Sequence, residues 1–269
     1  MGLLARVLDR GAGPTAHPRG DVRDPLHASG LALDELRATW ACASWLIGYP
    51  GPEMLAQLPT IRAVARSVPG RAGVALGEAV AALAGNDLIE LQEAYVDTFD
   101  TRRRGCLYLT YFSQGDTRRR GMALVRIKQD FRRAGVELGD DELPDHLGVV
   151  LEFAAGHDAE AGAKILRQNR AGVELLRLHL EEIDSPWNGV LRAVCATLPP
   201  LDADDREAVL RLAAEGPEEE LVGLDGYGAE PGTAPSALPG GGCSSHDGPG
   251  APAARPGPVD IEIMRGRAR

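Results

Sequence analysis

The chain has 269 residues, 44% of them hydrophobic but only 4% aromatic, and carries a formal net charge of −10. That balance argues against a general nucleic-acid or anionic-membrane binder, and no run of eighteen apolar residues offers a helix that could cross a bilayer. Cys42, Cys106, Cys195 and Cys243 stand far apart with no Cys-x-x-Cys pair, which disfavours a disulfide scaffold or zinc ribbon and makes a reducing cytoplasm the simplest setting.

The start, Met1 to Arg6, lacks the basic region and long apolar run of a secretory signal. Arg6 stands where myristoylation requires Ser or Thr. Residues 1–30 contain Gly-Ala-Gly-Pro and His-Pro-Arg-Gly with no sustained period, and read as a disordered arm. Asp34 is then placed to cap a helix whose Leu36, Trp40, Ala43 and Ile47 form one stripe, stopped by Gly48-Tyr49-Pro50. Helices are expected over 53–68, 72–84 and 87–99, the last with Leu88, Leu91, Tyr95 and Thr98 on one face and Phe99 beside it.

Thr101 to Gly105 is a basic turn, and Cys106 to Phe112 is too short an apolar run to separate strand from helix. Asp116 can cap the next helix, which carries Leu124, Ile127, Phe131 and Ala134 on its core side and ends at Gly135. In the stretch Asp141 to Phe153, Pro144 suits the first position of a helix, where its missing N–H costs nothing. Asp141, Glu142 and Asp145 lie near that helix start, where the macrodipole favours negative charge. His146 falls at the edge of the face made by Leu147, Val150, Leu151 and Ala154. A long helix is expected over 158–183, a helix opened by Ser185-Pro186 through Leu198, and a last helix capped by Asp202 and running to Glu215. From Gly216 onward Gly, Pro, Ala and Ser dominate, so residues 216–269 read as a disordered tail. The expected fold is all-α, a single globular helical bundle over residues 31–215 with disordered ends.

No catalytic set appears. His146 and His157 are too far apart for a metal-binding pair on one helix, Cys243 and His246 sit in the tail, and no Gly-rich loop follows a strand. No metal and no cofactor of its own is expected. Charge is segregated instead: residues 101–133 hold ten Arg or Lys against two Asp, so this segment stands at +8 and the rest of the chain at −18. Arg102, Arg103, Arg104, Arg118, Arg119 and Arg120 form two triplets. They are a solvated face or a patch for an acidic surface of a partner protein, an anionic ligand, or an acidic face of a second copy of the chain. Tyr95, Phe99 and Tyr108 could line a groove for a partner helix, but the first two lie on an apolar stripe and so read as core. Asp145 and Glu152 are two turns apart and could form an acidic strip. Glu142, Pro144, Asp145 and His146 are either a recognition site or a helix start with its ordinary residues.

Four runs occur in a familiar order and spacing: Tyr95-Val96-Asp97-Thr98-Phe99-Asp100, Tyr108-Leu109-Thr110-Tyr111, Gly115-Asp116-Thr117-Arg118 and Glu142-Leu143-Pro144-Asp145-His146-Leu147. They resemble the NarJ family, cytoplasmic assembly chaperones of molybdenum-dependent respiratory nitrate reductase, within the wider TorD/DmsD-like group of all-helical molybdoenzyme chaperones. The resemblance implies a non-catalytic protein that binds the catalytic (alpha) subunit of nitrate reductase, through that subunit's N-terminal segment, and holds it open for molybdenum cofactor insertion. It also implies that Glu142, Pro144, Asp145 and His146 serve recognition of the client peptide and that the basic patch could meet an acidic client surface or the phosphate of a pterin cofactor; Tyr95, Phe99, Asp100, Tyr108 and Glu152, in or beside the same runs, complete the candidate client-peptide residues. Neither nucleic acid nor insertion into a membrane is expected, and a homodimer is one arrangement that the segregated charge allows. A chaperone of another molybdoenzyme or of a twin-arginine export substrate is the alternative within the group. An enzyme using Asp145 and His146 as an acid–base pair is the alternative outside it.

Overall fold

A computed structural model describes Leu26 and residues 29–115, 118–139 and 142–215. The arm at residues 1–25, Asp116, Asp141, and the tail at 216–269 with Cys243 and His246 lie outside the described residues. The described part is all-α: eleven α-helices and, among these residues, no β-pairing beyond one isolated bridge. In chain order they are α1 (Leu33–Ile47), α2 (Pro52–Ser67), α3 (Gly70–Ala84) and α4 (Leu88–Tyr95), then α5 (Leu109–Gln114) and α6 (Arg118–Arg133). After them come α7 (Leu147–Gly156), α8 (Ala159–Gln168), α9 (Arg170–Glu182), α10 (Asn188–Ala196) and α11 (Ala203–Glu215).

The stripe read from the sequence of α1 is the middle of the core. Leu36, Trp40, Ala43 and Ile47 are fully buried, and α1 packs most extensively on α7. Polar atoms buried with this stripe find partners across the bundle, as buried donors must. Trp40 Nε1 donates to Thr197 Oγ1 at 2.9 Å, Ser44 Oγ to the Gly148 carbonyl at 3.0 Å, and Trp187 Nε1 to the Leu46 carbonyl at 3.0 Å. The second dense contact is α3 on α10, where Gly189 lets the helices touch: a Cβ there would lie 2.7 Å from the Ala75 carbonyl oxygen. The basic helix α6 is held by few residues. Ile127 and Phe131 are buried, and the Phe131 ring stacks on Phe153 of α7 with centroids 4.0 Å apart. Burying each such side chain contributes roughly 1.5–3 kcal/mol.

Several helix ends differ from expectation. α1 begins at Leu33, and the side chain that serves its N-terminus is Glu35, which accepts from the Ala32 N–H at 2.8 Å, not Asp34. The helix expected over 87–99 starts with Asp87 as its cap but passes at Val96 into a π-helical turn, Val96–Asp100. The undecided run 106–112 becomes an extended Tyr108 followed by α5. The long helix expected over 158–183 is broken at Asn169, whose side chain donates to the Ile165 carbonyl and accepts from Ser113 Oγ. Asn breaks the run because its amide competes with the backbone for hydrogen bonds. Ser185-Pro186 form a turn ahead of α10 and do not cap it; Ser185 Oγ instead accepts from the Trp187 N–H as that indole turns into the core. Asp202 does cap α11, accepting from the Asp205 N–H at 2.7 Å.

Candidate functional site

The residues before α7 do not form a helix start at Pro144. Leu143 to Asp145 make a turn, closed by the His146 N–H on the Leu143 carbonyl, with Pro144 buried in it. The helix begins at Leu147 and His146 is its N-cap, its Nδ1 accepting from the Gly148 N–H at 3.2 Å. The proton of the neutral ring therefore sits on Nε2. Pro144 is displaced from the first helical position because the chain is pulled into extended pairing instead. The Leu109 N–H donates to the Asp145 carbonyl at 2.9 Å and the Leu147 N–H to the Leu107 carbonyl at 2.8 Å, giving an antiparallel bridge between Tyr108 and His146.

Around that bridge the structure gathers side chains from four segments. Asp145 is fully buried. Its Oδ2 accepts from the Thr110 backbone N–H at 3.2 Å and from the Thr110 hydroxyl, and stands 3.7 Å from Arg120 Nη2. Its Oδ1 is buried with no hydrogen-bond partner among the described residues. Arg120 also lies over the Tyr108 ring, 5.6 Å from its centroid, and the Tyr108 ring meets His146 edge-on at 5.5 Å. Cys106 sits beside this group. Burial pushes its thiol pKa up, and the Asp145 charge adds to that, against the Tyr108 backbone hydrogen bond and the Arg120 charge. The Asp145 carboxylate thus fastens α5 and the start of α6 to the turn before α7, while the backbone pairs that turn with Leu107 to Leu109.

This geometry corrects the expected acidic strip. Asp145 and Glu152 do not share a solvated face, because Asp145 points into the protein while Glu152 is half-buried on α7. Enclosure also closes Asp145 to any substrate, so the arrangement offers no acid–base chemistry at a cleft. What it does offer is a mount for the surface beside it: Tyr108 is 36% exposed, His146 packs edge-on against it and is half-exposed, and Glu142, three residues before Asp145 in the chain, is half-exposed too.

Tyr95 and Phe99 belong to a separate cluster. Both are 6% exposed; their rings are 4.7 Å apart and each meets Trp187 edge-on, while the Tyr95 hydroxyl donates to the Ile47 carbonyl. Their stripe is core packing, as its spacing indicated. Asp100 is exposed at the end of the π-helical turn. Of the first Arg triplet, Arg102 pairs with Asp97 at 2.8 Å, Arg103 is exposed, and Arg104 donates to the Ala213 carbonyl and approaches Glu182. Gly105 makes that turn feasible by lying on the Thr98 carbonyl, where a Cβ would be only 1.8 Å from the oxygen. Of the second triplet, Arg118 and Arg119 are exposed and Arg120 turns inward. Within each triplet the side chains thus differ in their surroundings: five are exposed and Arg120 alone is partly buried.

Sequence reading missed Thr110 and the inward role of Arg120. It also missed a second buried polar cluster on α9. There Glu174 receives Arg170 at 3.1 Å and Arg177 at 2.7 Å, and Arg177 continues to Glu181 at 2.8 Å. Arg170 also reaches the Cys195 thiol at 3.5 Å. Burial alone would raise the Glu174 pKa, but the hydrogen bonds and charges of Arg177 and Arg170 outweigh it and hold the carboxyl below its ordinary value. Burial raises Cys195 to about 11. The i, i+3, i+4 spacing of 170, 174, 177 and 181 was the available signal. Among the described residues no group of His, Cys, Asp and Glu could hold a metal.

The family described as nitrate reductase delta subunit matches residues 67–193, a span that contains both polar clusters. The chain is 39% identical over 186 residues to the nitrate reductase-like protein NarX of Mycobacterium tuberculosis, covering 68% of this chain and 28% of NarX. It thus spans little more than a quarter of that relative's length. It is 32% identical over 164 residues to a Bacillus subtilis protein described as probable nitrate reductase molybdenum cofactor assembly chaperone NarJ, covering 60% of this chain and 88% of the relative. Its identity to the Escherichia coli NarJ assembly chaperone is 27% over 163 residues, covering 61% and 69% respectively.

Proposed function

This chain belongs to the nitrate reductase delta-subunit family, and we propose on that footing that it is a cytoplasmic, non-catalytic assembly chaperone for a respiratory nitrate reductase. In this reading it binds the catalytic subunit, through that subunit's N-terminal segment, and keeps it competent to receive the molybdenum cofactor. The observation that carries the reading is the match to the Bacillus subtilis chaperone over nearly its whole length. The enclosed Asp145 supports it, since a carboxylate closed to solvent suits a scaffold better than a catalyst.

The site we propose for the client is the surface carried on the Asp145 mount. Tyr108, Glu142, His146 and Glu152 supply its accessible groups, with Asp100 a more remote acid. Pro144 and Asp145 hold that surface from below, and Tyr95 and Phe99 act only by keeping the core in place. The test is a pull-down with the full chain from cells respiring nitrate without oxygen, with the partners identified. Recovery of a nitrate reductase catalytic subunit in its cofactor-free form is expected. Recovery of a different molybdoenzyme, or of no molybdoenzyme, overturns the reading.

A further inference from the structure

The outer face of α6 has no role in the core or in the Asp145 mount. The helix carries seven Arg or Lys and a single acid, Asp130, which pairs with Arg133. With Ile127 and Phe131 buried on the inner side, a repeat of 3.6 residues places Met122, Val125 and Gln129 within about 60° of one another on the opposite side. Met122 is 59% and Val125 50% exposed. Arg126 and Arg133 border this strip on one side, and Arg132 and Lys128 on the other.

We infer that this face is a docking site for an anionic lipid surface, on which α6 lies flat with Met122 and Val125 entering the headgroup boundary. An exposed apolar strip bordered on both sides by cations is the arrangement of a helix that rests in a membrane interface, because long basic side chains keep their stems along the apolar layer and their charges in the headgroups. The face is the outside of one helix and bears no aromatic side chain, whereas protein partners are held chiefly by anchors, aromatic ones prominent among them, seated in pockets. A planar, deformable anionic surface fits it better than an acidic protein does.

The net charge of −10 does not forbid this. At physiological ionic strength the Debye length is about 8 Å, less than the roughly 10–12 Å thickness of a helix, so acids behind α6 are largely screened from a surface in front of it. The molecule would bind by this face and turn its acidic remainder away. Docking of this kind is peripheral, consistent with the finding that no single helix among the described residues is long and apolar enough to cross a membrane. It is independent of the chaperone reading.

The experiment is sedimentation of the full chain with phosphatidylcholine vesicles containing about a quarter phosphatidylserine, against vesicles of phosphatidylcholine alone. Binding is expected only to the anionic vesicles and should vanish in near-molar salt. Each basic residue at such a surface raises affinity roughly five-fold, so the variant Arg126→Gln, Lys128→Gln, Arg132→Gln should bind roughly a hundred-fold more weakly. The pair Met122→Ser, Val125→Ser should keep all the charge and still lose several-fold. All five positions are wholly or partly exposed, and an unchanged melting curve verifies the fold of each variant. Absence of binding to anionic vesicles at low salt overturns the inference. So does full vesicle binding by the Met122, Val125 pair. Binding of polyglutamate without binding of vesicles would assign the face to an acidic polypeptide and likewise overturn it.

Discussion

Two buried carboxylates in this protein do opposite kinds of work. Glu174 is held within its own helix, by Arg170 one turn before it and Arg177 one turn after. Asp145 is held from outside, by the Thr110 backbone, the Thr110 hydroxyl and the distant Arg120. The first cluster compensates charges that α9 itself brings into the interior. The second fastens together segments that are separated along the chain. Loss of the first should therefore damage stability everywhere, while loss of the second should loosen one surface.

The largest effect is expected from Glu174→Ala. It leaves Arg170 buried without a carboxylate and Arg177 with Glu181 alone, and breaking a buried pair in this way costs roughly 3–5 kcal/mol. Urea unfolding would show it as a large drop in the midpoint. The pH dependence has a definite sign. The folded pKa of Glu174 is depressed, so its contribution is complete above the unfolded value of about 4.3 and is lost as pH falls through the folded value. Glu174→Gln should flatten the acid limb of the stability curve; an unchanged limb would show that the ladder does not govern acid unfolding.

Asp145→Ala should cost less, about 1.5–3 kcal/mol, because Arg120 retains some solvent and only Thr110 is left buried without an acceptor. The sharper signature is local. Hydrogen exchange at Leu109, Thr110 and Leu147 should accelerate by more than the loss of global stability explains. Uniform acceleration would place Asp145 in the same class as Glu174 and dissolve the distinction.

His146→Leu removes the acceptor for the Gly148 N–H, and loss of a cap costs about 1 kcal/mol. Capture of the catalytic subunit should fall further than this small destabilisation accounts for, since His146 stands at the accessible edge of the mount. Equal client affinity in the folded fraction would reduce His146 to a cap. The smallest effect belongs to Arg102→Gln. Its pair with Asp97 is exposed on both sides, so the melting temperature should move by no more than about 0.5 kcal/mol would produce.

The apolar stripes were legible from the sequence because burial repeats with the helical period. The spacing of Leu36, Trp40, Ala43 and Ile47 predicts one face and they are one buried face, and the stripe that places Tyr95 and Phe99 in the core packs on Trp187. The site was less legible. Pro144 suits the first position of a helix by its φ, yet an extended pairing of Asp145 to Leu147 with Leu107 to Leu109, about forty positions earlier, claims the backbone. The charge of residues 118–120 was plain, but not that Arg120 would turn inward while its neighbours stayed at the surface.

By itself the sequence determined the all-α class, the faces of the helices and the segregation of charge, because each depends on periodicity or composition along a continuous stretch. Tertiary structure decided the break at Asn169, the π-helical turn at Val96, the cap at His146 and the enclosure of Asp145. Each of those depends on which hydrogen-bonding groups meet across the chain. A carboxylate has the same letter in solvent as in the core; only its neighbours in space, here Thr110 and Arg120, make it a fastening.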